Sequence, residues 1–311
     1  MLLNIVTLLA GLTFLVIGAE LFVSNTSKLG SKLGLSDMFL GITIIALGTS
    51  IPEVFVTISS ILNNTPEIAV GNSIGSNIAN IGLIFGVSCF FLSKSSLDIN
   101  LRDIFLLILS VLLTGYILFD YKISKPESII LIAFFILFLL HLFRQRREPN
   151  VDNQSNSFFK LTFLLIVSVI VLISGSELTV LGGTNLASLL NVSNEIIGLT
   201  MIAIGTSLPE LAASLTALRQ RKGNMVIGNI IGSNILNIVL VFPLIGFTSF
   251  FLLSETIFNR DFLLVCIYTS IFIIFIIFGD SKGSVKKVLY PIIGSLFLIW
   301  TIFYQSSLYL T

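Results

Sequence analysis

Charge is scarce in this sequence. Only 11% of its 311 residues are Asp, Glu, Lys or Arg, and 55% are hydrophobic; soluble domains carry about 25% charged residues. So little charge cannot cover a water-facing surface, which excludes a soluble globular protein and leaves an integral membrane protein. The charges nearly cancel, to a net +1, so neither a nucleic acid nor an acidic partner is expected. Membrane lipid is the one surrounding that composition demands, and no protein partner is inferred. Cysteine and histidine are scarcer still. Cys89 and Cys266 stand singly inside apolar runs, a spacing that supports neither a disulfide nor a thiolate metal site. The single histidine, His141, closes an apolar run near Arg144 and reads as interfacial rather than as a proton carrier. Nothing points to a catalytic residue or a prosthetic group. Long polar segments are lacking too: the one sizeable linker, RQRREPNVDNQSNS from Arg144 to Ser157, is too short for a domain.

What the chain has in abundance is apolar stretches near 20 residues, the length that crosses a bilayer as a helix. Ten are expected, at about 2–27, 37–61, 68–92, 102–119, 126–143, 159–186, 194–217, 226–252, 262–279 and 286–307. The first is too long for a signal-peptide core and has no basic start, so it reads as an uncleaved span.

The chain also repeats itself. Glu210 follows Glu53 by 157 residues, and the same offset holds without a gap from Gly18 to Asn80. Gly41 to Glu53 matches Gly198 to Glu210 at nine of thirteen positions, and GNSIGSNIAN (Gly71 to Asn80) matches GNIIGSNILN (Gly228 to Asn237) at eight of ten. Each half holds five spans, an odd number, so the second half enters the membrane from the opposite side. The expected architecture is all-α: ten transmembrane helices in two inverted five-helix repeats, 1–143 and 159–311, joined by a short cytoplasmic linker at 144–158. Basic residues orient it. Of the 17 lysines and arginines, only Lys122, Lys125 and Arg260 follow even-numbered spans. Because basic loops stay in the cytoplasm, both termini should be extracellular, in a multi-pass protein of the cell membrane. Inverted repeats with helices interrupted at the midplane are a build of secondary transporters.

The chemistry concentrates where the repeats agree best. In GITIIALGTSIPEVFVTISS (Gly41 to Ser60) and GLTMIAIGTSLPELAASLTA (Gly198 to Ala217), a glutamate follows a proline in mid-span. A charged side chain at that depth costs about 2.5–3.5 kcal/mol on insertion scales, so it faces a protein-lined cavity and a partner. Pro52 and Pro209 each remove a backbone donor and free carbonyls. Thr49, Ser50, Thr206 and Ser207 add hydroxyls, and together these are the oxygen ligands that a hard cation prefers. Thr49 and Glu53 share a face of the second span; Asn72, Gly75, Ser76 and Asn80 share one on the third. Inversion sets Asn229, Ser233 and Asn237 opposite them, with the glycines expected to admit a close neighbouring helix. For Ser76, Asn80, Ser233 and Asn237, helix–helix hydrogen bonding is the competing role. Glu20 and Glu177, mirrored but without proline or hydroxyl neighbours, suit a structural or gating role better than ligation.

At GTSIPE (Gly48 to Glu53), GTSLPE (Gly205 to Glu210) and the paired GNxIGSN stretches, the chain resembles the sodium/calcium exchanger family, whose two alpha-repeats these motifs carry. The resemblance implies that Glu53 and Glu210 ligate both calcium and sodium. It implies that the hydroxyls of Thr49, Ser50, Thr206 and Ser207 and the carbonyls of Ala46 and Ala203 complete the sites. Asn80 and Asn237 would stand beside them, and Ser76 and Ser233 would flank the sodium positions. The transported ions, calcium and sodium, are then the small partners, exchanged electrogenically by alternating access. Many relatives, including potassium-dependent ones, carry Asp at the position of Asn237, and the long cytoplasmic regulatory segment of animal exchangers is replaced by the short linker. Potassium-independent exchange is the expectation. A calcium/proton or other cation/proton antiporter is the alternative, because buried glutamates also carry protons; relatives of that type favour a Gly-Asn-Ala form over Thr-Ser-x-Pro-Glu. An intramembrane aspartyl protease would need a catalytic Asp motif, which the chain does not have. A passive channel would show no obligate exchange.

Overall fold

The computed structural model describes residues 1–92, 97–144, 158–190, 205–248, 253–278 and 284–307. The protein is all-helical, with nine described helices long and apolar enough to cross a membrane. In chain order they are α1 (Leu2–Leu33), α2 (Asp37–Leu62), α3 (Pro66–Leu92), α4 (Leu101–Leu118), α5 (Lys125–Arg144) and α6 (Phe158–Leu189). After them come α8 (Gly223–Thr248), α9 (Ile257–Ile277) and α10 (Ser284–Ser307). Of the expected seventh span the described part is α7 (Leu208–Arg219) and the residues just before it. Residues 194–204, Ala203 included, lie outside the described residues, as does the linker core at 145–157.

α1 and α6 run longer than their apolar stretches suggest, 32 residues each. α1 continues through Ser27, Lys28, Ser31 and Lys32 and stops at Gly34, whose φ of 65° closes the helix end. Hydropathy marks where lipid ends, not where the helix does.

Burial divides the molecule into a core and a rim. In α8, 83% of the most apolar window is buried, against 22% in α1 and 28% in α6. α8 is wrapped by α2, α3, α4, α5 and α7. α10 packs on the second half of α3, where Phe85 meets Phe272, Phe275 and Phe297 edge-on. α1 and α6 lie against each other along most of their length. Gly11, Gly18, Gly175 and Gly182 bring the two backbones together: a Cβ at Gly18 would strike the backbone of Leu172, and one at Gly175 the backbone of Leu15. Lipid offers no hydrophobic drive between helices, so small residues that permit close van der Waals contact set this interface.

The inversion reaches down to single turns. α2 and α7 both end in a left-handed residue, Asn64 (φ 57°) and Arg221 (φ 59°), which stand in equivalent positions. The closing bonds also match: Asn64 N to Ile61 O and Thr65 N to Ser60 O, against Arg221 N to Leu218 O and Lys222 N to Ala217 O. Loops meet in two layers. At one end Asp98 N donates to Asn224 Oδ1, and Lys222 faces Asp37 at 3.8 Å; at the other Leu253 N donates to Tyr121 O. Near the first end, His141 Nε2 lies 2.9 Å from the buried Asp103 carboxylate, so this histidine ties α5 to α4.

Candidate ion-binding site

Each glutamate sits one turn past a break. The first part of α2 contains a π-helical turn at Gly41–Ile45 and stops at Ser50 (φ −84°, ψ 7°); a new helix starts at Ile51 with Pro52 in its first turn. Ser207 (φ −89°, ψ 0°) and Pro209 repeat this ahead of α7. Proline there forfeits no hydrogen bond, since a first-turn N–H has no intrahelical partner. Glu53 and Glu210 therefore lie in the first turn of a helix, where the macrodipole favours negative charge. Both are only 1% exposed.

The hydroxyls and amides of α3 and α8 close around them. Ser76 Oγ donates to Glu53 Oε1 (3.2 Å) and meets Thr206 Oγ1 at 3.4 Å, and Thr206 donates to Asn72 Oδ1 (3.2 Å). On the mirrored side Ser50 Oγ lies 3.3 Å from both Glu210 Oε1 and Ser233 Oγ. Thr49 donates to Asn229 Oδ1 (3.4 Å), and Asn229 donates in turn to Ser214 Oγ (3.1 Å). Deeper, Asn80 Nδ2 donates to Asn234 Oδ1 (3.2 Å) and Asn237 Nδ2 to Asn77 Oδ1 (3.1 Å). Nearly every link joins one half to the other, so neither half alone forms the site.

Of the sequence-derived site residues, Ala46, Thr49, Ser50, Glu53, Ser76, Asn80, Thr206, Ser207, Glu210, Ser233 and Asn237 are all described and buried. The Ala46 carbonyl accepts from Ser50 N (3.0 Å) and is approached by Thr49 Oγ1 (3.4 Å). Asn77 and Asn234 join the cluster without having been singled out. Their signal was available, since both fall at equal positions of the repeated GNxIGSN stretch. The expectation of close helix approach holds at the glycines of α8. Gly228 and Gly232 admit α2 closely, a Cβ at either striking backbone of Met38 or Ile42. Gly71 and Gly75 have no described atom within 4 Å of such a Cβ; the repeat counterparts of Met38 and Ile42, residues 195 and 199, lie outside the described residues.

Five buried oxygens in this cluster have no hydrogen-bond partner among the described residues: Glu53 Oε2, Glu210 Oε2, Asn80 Oδ1, Asn237 Oδ1 and Ser207 Oγ. An unpaired buried polar group costs about 1–3 kcal/mol, so five together suit something that binds oxygen. Four of them, on carboxylates and amide carbonyls, are pure acceptors, which calls for a cation. Among the described residues no group of three or more His, Cys, Asp or Glu gathers, so a cation here is met by two carboxylates and neutral oxygens. A groove of about 390 Å³ leads toward it, lined by Pro52, Phe55 and Val56 of α2, by Glu177 and its neighbours on α6, and by Thr206.

The profile of the sodium/calcium exchanger protein family matches residues 3–144 and 160–308. The chain belongs to the sodium/calcium exchanger family. The Escherichia coli inner membrane protein YrbG is 32% identical over 288 residues, covering 88% of each chain. The sodium/calcium exchanger MaX1 of Methanosarcina acetivorans is 31% identical, over 78% of this chain and 82% of its own. A solved structure of the sodium-calcium exchanger NCX_Mj superposes with a TM-score of 0.85 at 30% identity, covering 99% of both chains. This exchanger is thus a multi-pass membrane transporter for cations including calcium, not an enzyme, and it shares the fold of NCX_Mj.

Proposed function

We propose that this exchanger moves calcium against sodium by alternating access, electrogenically and without potassium, in the cell membrane with both termini outside. The observation that carries the reading is the set of five buried oxygens around Glu53 and Glu210 that have no partner among the described residues. These two acids, with Thr49, Ser50, Ser76, Asn80, Thr206, Ser207, Ser233, Asn237 and the carbonyls of Ala46 and Ala203, form the ion sites. Two carboxylates balance one calcium or two sodium ions, and the neutral oxygens give room for a further sodium. The sodium-loaded form then carries excess positive charge, and exchange is electrogenic. Asn237 contributes no charge, which leaves no counterpart for a co-transported potassium ion.

Alternating access is supported by how differently the ends of the site are closed. On the α6 side, the groove at Glu177 and Thr206 is open. On the α1 side, Gln220 Nε2 reaches Glu20 Oε1 (3.4 Å) and Ser24 Oγ (3.3 Å), while Lys222 Nζ bonds Ser27 Oγ. The mirrored halves 1–143 and 159–311 exchange these roles during transport, with Glu20 and Glu177 at the gates.

The test is calcium uptake into proteoliposomes with sodium inside and pH clamped on both sides. Uptake should follow the sodium gradient, speed up when the interior is made positive, and run equally in potassium and choline media. Uptake that followed a pH gradient and ignored sodium would establish the cation/proton alternative instead. Collapse in potassium-free media would remove the role given to Asn237.

A further inference from the structure

The amides of Asn80 and Asn237 can ligate a cation only if their carbonyl oxygens face it, since the opposite amide orientation presents N–H donors. Two residues outside the ligand set fix that orientation. Asn80 Nδ2 is engaged by Asn234 Oδ1 at 3.2 Å and Asn237 Nδ2 by Asn77 Oδ1 at 3.1 Å, so each ligand's Oδ1 is the atom left buried without a partner. The arrangement holds both ways across the pseudo-twofold axis, each half supplying the acceptor that orients the other half's amide. Asn77 is itself anchored, its Nδ2 donating to the backbone carbonyl of Asn234 (3.3 Å), and Ser73 Oγ donates to the backbone carbonyl of Asn237 at 2.7 Å. Among the described residues the Nδ2 of Asn234 has no partner, so its acceptor oxygen is the atom that matters.

We propose that Asn77 and Asn234 are positioning residues that turn the carbonyl oxygens of Asn237 and Asn80 onto the transported cation. They touch no ion in this reading and act through the amides they hold. The inference rests on Asn80 and Asn237 being ligands, as set out above.

Asn234 gives the cleaner test because an aspartate there keeps the acceptor and gives up a donor that bonds no described residue; since it also adds a negative charge, its recovery counts only if Asn234→Asp brings none in the Asn80→Ala background. The variants are Asn234→Leu, Asn234→Asp, Asn80→Ala and the double variants Asn80→Ala/Asn234→Leu and Asn80→Ala/Asn234→Asp. Each is checked for a monodisperse, cooperatively melting protein before reconstitution, and initial calcium uptake is measured against calcium concentration. Outer-shell partners of metal ligands carry about 10–100-fold in affinity. Asn234→Leu should raise the half-saturating calcium concentration by about tenfold or more and change the maximal rate far less. Asn234→Asp should recover most of that loss, and adding Asn234→Leu to Asn80→Ala should do nothing further. An unchanged half-saturation in Asn234→Leu, no recovery in the Asp variant, the same recovery in the Asn80→Ala background, or additive losses in the Leu double variant would overturn the positioning role. If Asn80→Ala itself leaves calcium half-saturation unchanged, the ligand assignment fails, and this inference fails with it. Should Asn234→Leu not fold, the Asp variant and Asn77→Ser, which keeps a small acceptor, carry the same comparison.

Discussion

Glu53 and Glu210 each give one oxygen to a serine and keep the other free. That division separates binding from folding. Glu53→Gln or Glu210→Gln preserves volume and can keep the serine bond, but halves the formal charge available to the ion. Removing a buried charge also removes its desolvation penalty, so the melting temperature should hold or rise. Calcium flux should fall about a hundredfold or more, at least the upper end of what losing an outer-shell partner costs. Robust sodium-driven flux in either purified variant would refute the assignment. At this scale the sequence disclosed much. The mirrored acids, hydroxyls and terminal asparagines of the motif were all readable, since each breaks an apolar run. Asn77 and Asn234 were readable as repeated positions of the motif, but their role was not, because their partners lie on the other half. A face drawn along one helix through Asn72, Ser76 and Asn80 has no means of showing a contact across the pseudo-twofold axis.

Between the elements, glycines decide which neighbours can be close. Gly228 lies against the backbone of α2, so Gly228→Ala should destabilise the protein by about 1–3 kcal/mol through overpacking, read as a lower melting temperature in detergent. The breaks near Pro52 and Pro209 were legible from proline alone. The π-helical turns at Gly41–Ile45 and Asn80–Phe85 were not. They depend on what lies alongside: at Gly82, for instance, a Cβ would collide with Thr301 and Tyr268, residues more than 180 positions later in the chain.

Across the whole molecule, the succession of apolar spans and the inverted repeat could be read from composition and spacing, because lipid imposes a length on every crossing. The pairing of α1 with α6 along most of their length could not. That pairing has a mechanical consequence. The apolar stretches of the pair, about 2–27 and 159–186, run about 39 and 42 Å at 1.5 Å per residue, against a hydrocarbon layer of about 30 Å. Leaning keeps those stretches immersed, and the glycines along their contact let one helix lean against the other at close range. Hydrophobic mismatch costs fractions of a kcal/mol per Å and is relieved by tilt or by local thickening of the lipid. In vesicles of increasing acyl-chain length, the maximal rate should therefore pass through an optimum while the half-saturating calcium concentration stays constant, since the ion site is held by other helices. A rate indifferent to chain length would show that the pair is carried passively. Otherwise bilayer thickness sets the rest angle of the long pair, and the surrounding lipid acts as a spring on the transport cycle.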